Sequence, residues 1–185
     1  MKQSEEERLL KRAKMGYAAP PVAAEFKEWK QIKDFATMEE FVAYMLNKLV
    51  ADWYATTKMD GAVRLREFEE AEMLSRRKRV EAVLDAMPGL YALLQDSSLS
   101  HGVKTSIEGI AEALLDRDYT EAFTAHRTLT ETVWTTGGKP VEESKKERYL
   151  GNLKLLIEFG LKRYPNARKH KNNYQSVSNQ DTQDF

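Results

Sequence analysis

The stretch that most constrains this chain lies near its end, where Tyr149, Leu150, Leu153, Leu155, Leu156, Ile157, Phe159 and Leu161 follow one another with little interruption. On a helix they leave only Gly151, Lys154, Glu158 and Lys162 as a narrow polar stripe, at spacings of three, four and four. A helix that is apolar around most of its circumference needs neighbours on several sides. The spacing therefore predicts a helix over about Val141 to Lys162, in the middle of a bundle.

The neighbours are legible upstream. Val103, Ile107, Ile110 and Leu114 form an apolar stripe behind the candidate cap Ser100. Asp118 with Glu121 opens another helix, carrying Tyr119, Ala122, Phe123, His126, Leu129 and Val133 on one side. Only Asp116 and Arg117 separate the two, which predicts an antiparallel hairpin. Thr135-Thr136-Gly137-Gly138-Lys139-Pro140 reads as the linker into the last helix, and no alternation persists long enough to predict a sheet. Before these, a long helix is expected over about Ala62 to Ala86. Glu67, Glu69, Glu70 and Glu72 precede Arg76, Arg77, Lys78 and Arg79 in it, an order that complements the helix dipole. Pro88 then predicts a new short helix over Gly89 to Leu94, closed by Asp96-Ser97-Ser98.

Phe26, Trp29, Phe35, Phe41, Tyr44, Trp53 and Tyr54 crowd into one short stretch that something must cover. Thr37 and Glu40 make a capping box, and Met38, Phe41, Val42, Met45, Leu49, Val50 and Trp53 follow at helical spacing, with Asp60-Gly61 marking the end. The chain thus divides into a charged leader (1–21), an aromatic-rich helical segment (22–60), a helical bundle domain (61–164) and a polar tail (165–185). In the leader, Ser4 and Glu7 make a further capping box that predicts a short helix over Glu5 to Lys14, before Ala19-Pro20-Pro21. Its acidic start, Met1-Lys2-Gln3-Ser4-Glu5-Glu6-Glu7-Arg8, lacks the apolar stretch of a secretory signal and carries the acid that mitochondrial presequences avoid. The expected location is therefore cytoplasmic or nuclear.

Composition narrows the function classes. Hydrophobic residues are 42% and charged residues 31% of 185, which fits one domain with tails, and no apolar run reaches the length of a membrane span. The absence of cysteine excludes a disulfide scaffold, a thiolate zinc site and a cysteine nucleophile. Lys plus Arg and Asp plus Glu are both 29, so the whole chain is not a bulk nucleic-acid binder, although local basic clusters can act. Two such clusters stand out: Arg76, Arg77, Lys78 and Arg79, and then Lys162, Arg163, Arg168, Lys169 and Lys171 in a stretch free of acid. The first also reads as a solvated helix face, and the second is the best local candidate for contacting an acidic partner or RNA.

Catalytic patterns fail one by one. Gly137-Gly138-Lys139 resembles the end of a phosphate loop, but Pro140 stands where a hydroxyl must hold magnesium. His101, His126 and His170 have no second histidine at i+4, and His126 reads as a core histidine hydrogen-bonded to a neighbour. No Gly-x-Ser-x-Gly elbow occurs, and pairs such as Glu69 with Glu70 lie on a charged face without the burial that tunes a catalytic acid. No catalytic residue, cofactor or metal ligand is expected.

The stretch from about Met73 to Lys162 resembles the C-terminal helical domain shared by the steroid receptor RNA activator protein and the outer-coat scaffold protein of COPII vesicles. Three segments carry the resemblance: Arg76 to Val80 through Leu84 with the later Leu99-Ser100; Ile110 to Leu129, with Tyr119, Phe123 and His126; and Tyr149 to Ile157, with Tyr149, Gly151 and Lys154. Tyr149 stands where the family usually has tryptophan, and Gly151 falls one residue early. What the resemblance implies is a non-catalytic interaction module, without catalytic residues, in coat assembly or in RNA-linked transcriptional co-regulation.

The expectations are therefore an all-α helical bundle of about five helices with an additional N-terminal helical segment, acting as a scaffold or adaptor subunit of a larger protein assembly. Phe26, Trp29, Phe41 and Trp53 are its candidate interface aromatics, either packing on the bundle or docking into that assembly. The alternative is an RNA-associated protein binding through the two basic clusters. No small-molecule substrate is expected.

Overall fold

The computed structural model describes residues 29–57 and 67–166. The expected leader helix, Phe26, the Asp60-Gly61 stop, the Ala62 start, Arg168, Lys169, Lys171 and the rest of the polar tail lie outside the described residues. Within them the protein is an all-α bundle of five helices: α1 (Met38–Thr56), α2 (Glu67–Gln95), α3 (His101–Asp116), α4 (Tyr119–Glu131) and α5 (Glu143–Arg163).

Helix α1 begins where the sequence places it, with the Thr37 hydroxyl oxygen accepting from the Glu40 N–H at 3.2 Å and Glu40 reaching back to the Ala36 N–H at 3.1 Å. Its role is larger than that of an added segment. Phe41, Val42, Met45, Leu46, Leu49, Val50, Trp53 and Tyr54 are all buried, and the helix packs on α2, α3 and α5 within one continuous core. Phe41 is 0% exposed and Trp53 1%, Trp53 stacking on Phe159 with ring centroids 5.8 Å apart. Trp29 is buried too, its ring edge-on to Tyr164. These three aromatics are core residues rather than interface residues, because the bundle itself supplies the apolar cover that they require.

The long helix runs through Pro88 to Gln95 instead of breaking there. Val80, Val83, Leu84, Met87, Leu90 and Leu94 are buried on both sides of the proline while Pro88 itself faces solvent. Continuous core contact outweighs the lost backbone hydrogen bond, a cost of about 3 kcal/mol in a helix interior.

Helices α3 and α4 form the expected hairpin. Arg117 adopts the left-handed conformation (φ 55°) at the end of α3, the Asp118 N–H returns to the Ala113 carbonyl at 2.8 Å, and the Asp118 carboxylate caps α4 through the Glu121 N–H at 3.0 Å. The linker after α4 contains a two-residue ladder, β1 (Thr135–Thr136) with β2 (Lys139–Pro140), turned by Gly137 and Gly138 at positive φ. Such a ladder is too short to reveal an alternation, although two successive glycines are what its turn requires. Trp134, buried just before it, donates from Nε1 to the Leu129 carbonyl and stacks on Tyr149.

Candidate functional site

At one end of the bundle, α5 is pinned by buried polar contacts. The Tyr119 hydroxyl donates to the Gly160 carbonyl (2.8 Å) and the Tyr164 carbonyl (2.5 Å). Gly160 permits this approach, since a Cβ there would lie 3.3 Å from the Tyr119 ring. The Tyr164 hydroxyl donates to Asp52 Oδ2 at 2.6 Å, and Arg163 Nε lies 3.3 Å from the same oxygen. Burial pushes both phenols well above the ordinary tyrosine range, Tyr164 further through its bond to Asp52. Arg163, a candidate RNA contact, is thus engaged with a buried carboxylate.

The first basic cluster divides in the same way. Arg76 pairs with Glu72 at 2.5 Å, and the Arg77 guanidinium donates to the Thr57 carbonyl at 2.9 Å, where it caps the C-terminal end of α1. Both are half-buried, whereas Lys78, Arg79 and Lys162 are exposed. Exposure and pairing thus divide a run that sequence alone treats as uniform.

The residues of the resemblance separate by role. Tyr119 is buried in the pin just described, and Phe123 packs half-buried against the core. His126 Nε2 lies 2.8 Å from the Leu150 carbonyl; because a carbonyl only accepts, that nitrogen carries the proton. Burial holds its pKa below the ordinary histidine value, so the ring is neutral at pH 7 and ties α4 to α5. Lys154 is 59% exposed and reaches Glu158 on the polar stripe. Gly151 is exposed with nothing within 4 Å of an added Cβ, so it serves no close packing.

Gly89 does serve close packing. A Cβ there would overlap the Tyr149 hydroxyl. The two residues belong to a polar groove of about 570 Å³ lined by α2, the β-ladder and the start of α5, including Leu93, Asp96, Thr136, Lys145 and Arg148. Tyr149 is 3% exposed, yet its hydroxyl has no hydrogen-bond partner among the described residues. Lys145 and Arg148 are exposed and also lack an ion pair there, Arg148 lying over the Tyr149 ring at 5.7 Å. The groove's carboxylates are engaged: Asp96 Oδ1 accepts from the Ser98 N–H (2.8 Å) and hydroxyl (2.6 Å), and Glu142 Oε1 from the Ser144 hydroxyl (2.5 Å). The Ser98 bonds hold Asp96 below the usual carboxylate range. Sequence reasoning picked out only Tyr149 of this group, because Gly89, Lys145 and Arg148 come together through the packing of α5 on α2.

Among the described residues no three His, Asp or Glu side chains gather where a metal could be held, and no helix is long and apolar enough to cross a membrane. No protein family, curated protein or solved structure matches this chain.

Proposed function

We propose that this protein is a non-catalytic helical adaptor of the cytoplasm or nucleus, which joins protein subunits in a larger assembly. The observation that carries the reading is the groove between α2 and α5. It brings two exposed cations, Lys145 and Arg148, that form no ion pair among the described residues, beside the Tyr149 hydroxyl and the carboxylates of Asp96 and Glu142. Polar groups of this kind, on a rigid core and at the edge of a concave surface, suit recognition of a partner. The resemblance of Met73 to Lys162 to the shared domain of the steroid receptor RNA activator protein and the COPII outer-coat scaffold supports the same reading by analogy.

The test is mass spectrometry of proteins that co-purify with the tagged native chain, with and without ribonuclease, alongside the charge-reversed pair Lys145→Glu/Arg148→Glu. Specific partners that survive ribonuclease and are lost from the variant are expected; an intact chain with no stable protein partner would overturn the adaptor reading. Partners lost on ribonuclease treatment would instead favour RNA binding, with Lys78, Arg79 and Lys162 among the exposed candidate contacts.

A further inference from the structure

Helix α2 begins outside the core. From Glu69 to Arg79, about three turns or roughly 16 Å of helix, no residue is buried, and Val80 is the first that is. The side of these turns that faces the bundle is occupied: Met73, Arg76 and Arg77 are half-buried, and Arg77 reaches the Thr57 carbonyl. The opposite side carries Glu70, Leu74 and Lys78, all exposed, in one row at spacings of four. Leu74, at 44%, stands with Ile32 and Val133 as the exposed large hydrophobic residues among those described.

The stability of α2 itself does not account for this row. Pairing within a helix joins residues four apart, as Arg76 with Glu72. Glu70 and Lys78 lie eight apart, roughly 12 Å along the axis, and neither forms an ion pair among the described residues. Leu74 occupies the position where each would find a partner. The helix dipole acts on the first and last turns, whereas Lys78 lies well inside a helix that runs on to Gln95. The row reads acid, apolar, base, and it becomes its own complement when turned end for end about Leu74. In an antiparallel copy centred there, Glu70 of each helix meets Lys78 of the other, and the two leucines meet on the axis. Ala71, Ser75 and Ala82, exposed beside the row, are small enough to let a second helix approach.

We propose that the row of Glu70, Leu74 and Lys78 is a self-association surface, on which α2 pairs antiparallel with α2 of a second copy of this chain. The contact is isologous, one patch serving both sides, so it closes at a dimer. It is also small: one leucine from each copy and two ion pairs, with Glu67 falling opposite Glu81 in the same register. The dimer is therefore weak and transient, with a Kd on the order of 0.1 mM that rises with salt. The row lies on the other half of α2 from the groove, so pairing leaves Gly89 to Asp96 open to a different partner. The proposal goes beyond the adaptor reading and does not rest on it.

The test is sedimentation equilibrium of the full chain at concentrations from about 0.01 to 1 mM, where a dimer of that affinity fills progressively. Glu70→Lys and Lys78→Glu each turn two attractive contacts into two repulsive ones and should weaken the dimer about tenfold. An equimolar mixture of the two variants should recover the wild-type affinity, because one copy then carries only lysines beside Leu74 and the other only glutamates. Leu74→Asp, which sets two like charges on the axis, should leave a monomer. All three positions are exposed, so the circular dichroism of each variant should match the wild type. A wild-type chain that stays monomeric throughout, a dimer indifferent to the three substitutions, or a mixture no tighter than the single variants would each overturn the proposal. Protein partners that still co-purify with the chain in such a case would leave the adaptor reading standing.

Discussion

Replacing Tyr119 with Phe tests how the last helix is held. The hydroxyl's single proton is shared between the Gly160 carbonyl at 2.8 Å and the Tyr164 carbonyl at 2.5 Å, in a side chain that is 1% exposed. Phenylalanine keeps the ring against Gly160 and removes only that bond. The Gly160 carbonyl still accepts from the Tyr164 N–H at 2.8 Å, so the loss falls mainly on the Tyr164 carbonyl. A net hydrogen bond is worth about 0.5–1.5 kcal/mol, and a poorly satisfied acceptor adds to it, so the variant should lose about 1–2 kcal/mol and several degrees of melting temperature. Urea and thermal unfolding followed by circular dichroism read both quantities. A second signature lies at alkaline pH. Burial raises the Tyr119 pKa, so its contribution is fully present below the unfolded value near pH 10 and is lost as pH rises above it, because only the unfolded phenol then ionises. The wild-type stability should therefore fall above about pH 10 with a Tyr119 slope of up to about 1.4 kcal/mol per pH unit, and the variant's limb should be shallower. A change below about 0.5 kcal/mol, the range of an ordinary surface substitution, together with an unaltered alkaline limb would refute the pinning argument.

Pro88→Ala should stabilise the protein by about 1–3 kcal/mol in urea unfolding, since the helix already continues through that position and alanine restores a donor; a destabilised variant would mean that the proline fits a bend the core needs. Gly89→Ala should cost about 1–3 kcal/mol, while Tyr149→Phe alone stays within about 0.5 kcal/mol and relieves most of the alanine penalty in the double variant; strict additivity in that cycle would refute the close approach. His126 should give an acid limb. Its pKa is lowered on folding by burial, so its contribution is present above the unfolded value near pH 6.5 and is lost as pH falls below it, and His126→Gln should flatten the stability profile between about pH 5 and 7. Trp53→Ala, which empties a core site stacked on Phe159, should cost about 3–5 kcal/mol by the same unfolding assay; a loss below 1 kcal/mol would place the ring outside the core.

What the sequence alone settled was the local order. Helical periodicity, the Thr37 and Asp118 caps and the short Asp116-Arg117 connection depend on residues within a few positions of one another, and the all-α class, α1, α5 and the α3–α4 hairpin all follow from them. The core role of His126 was legible for the same reason, since its apolar face is a property of one helix. What tertiary packing decided were the choices in which distant groups compete. Pro88 reads as a helix start until the buried residues on both sides hold α2 straight through it. Trp29, Phe41 and Trp53 read equally as core or interface until α2, α3 and α5 close over them. Arg76 and Arg77 look like Lys78 and Arg79 until Glu72 and the end of α1 take up the first two. The groove is the extreme case: Gly89, Lys145, Arg148 and the Tyr149 hydroxyl form no motif, because the space between them exists only where α5 crosses α2. Spacing along a chain fixes which side of a helix a residue occupies, but only the neighbouring helix determines whether that side is filled, paired or left open.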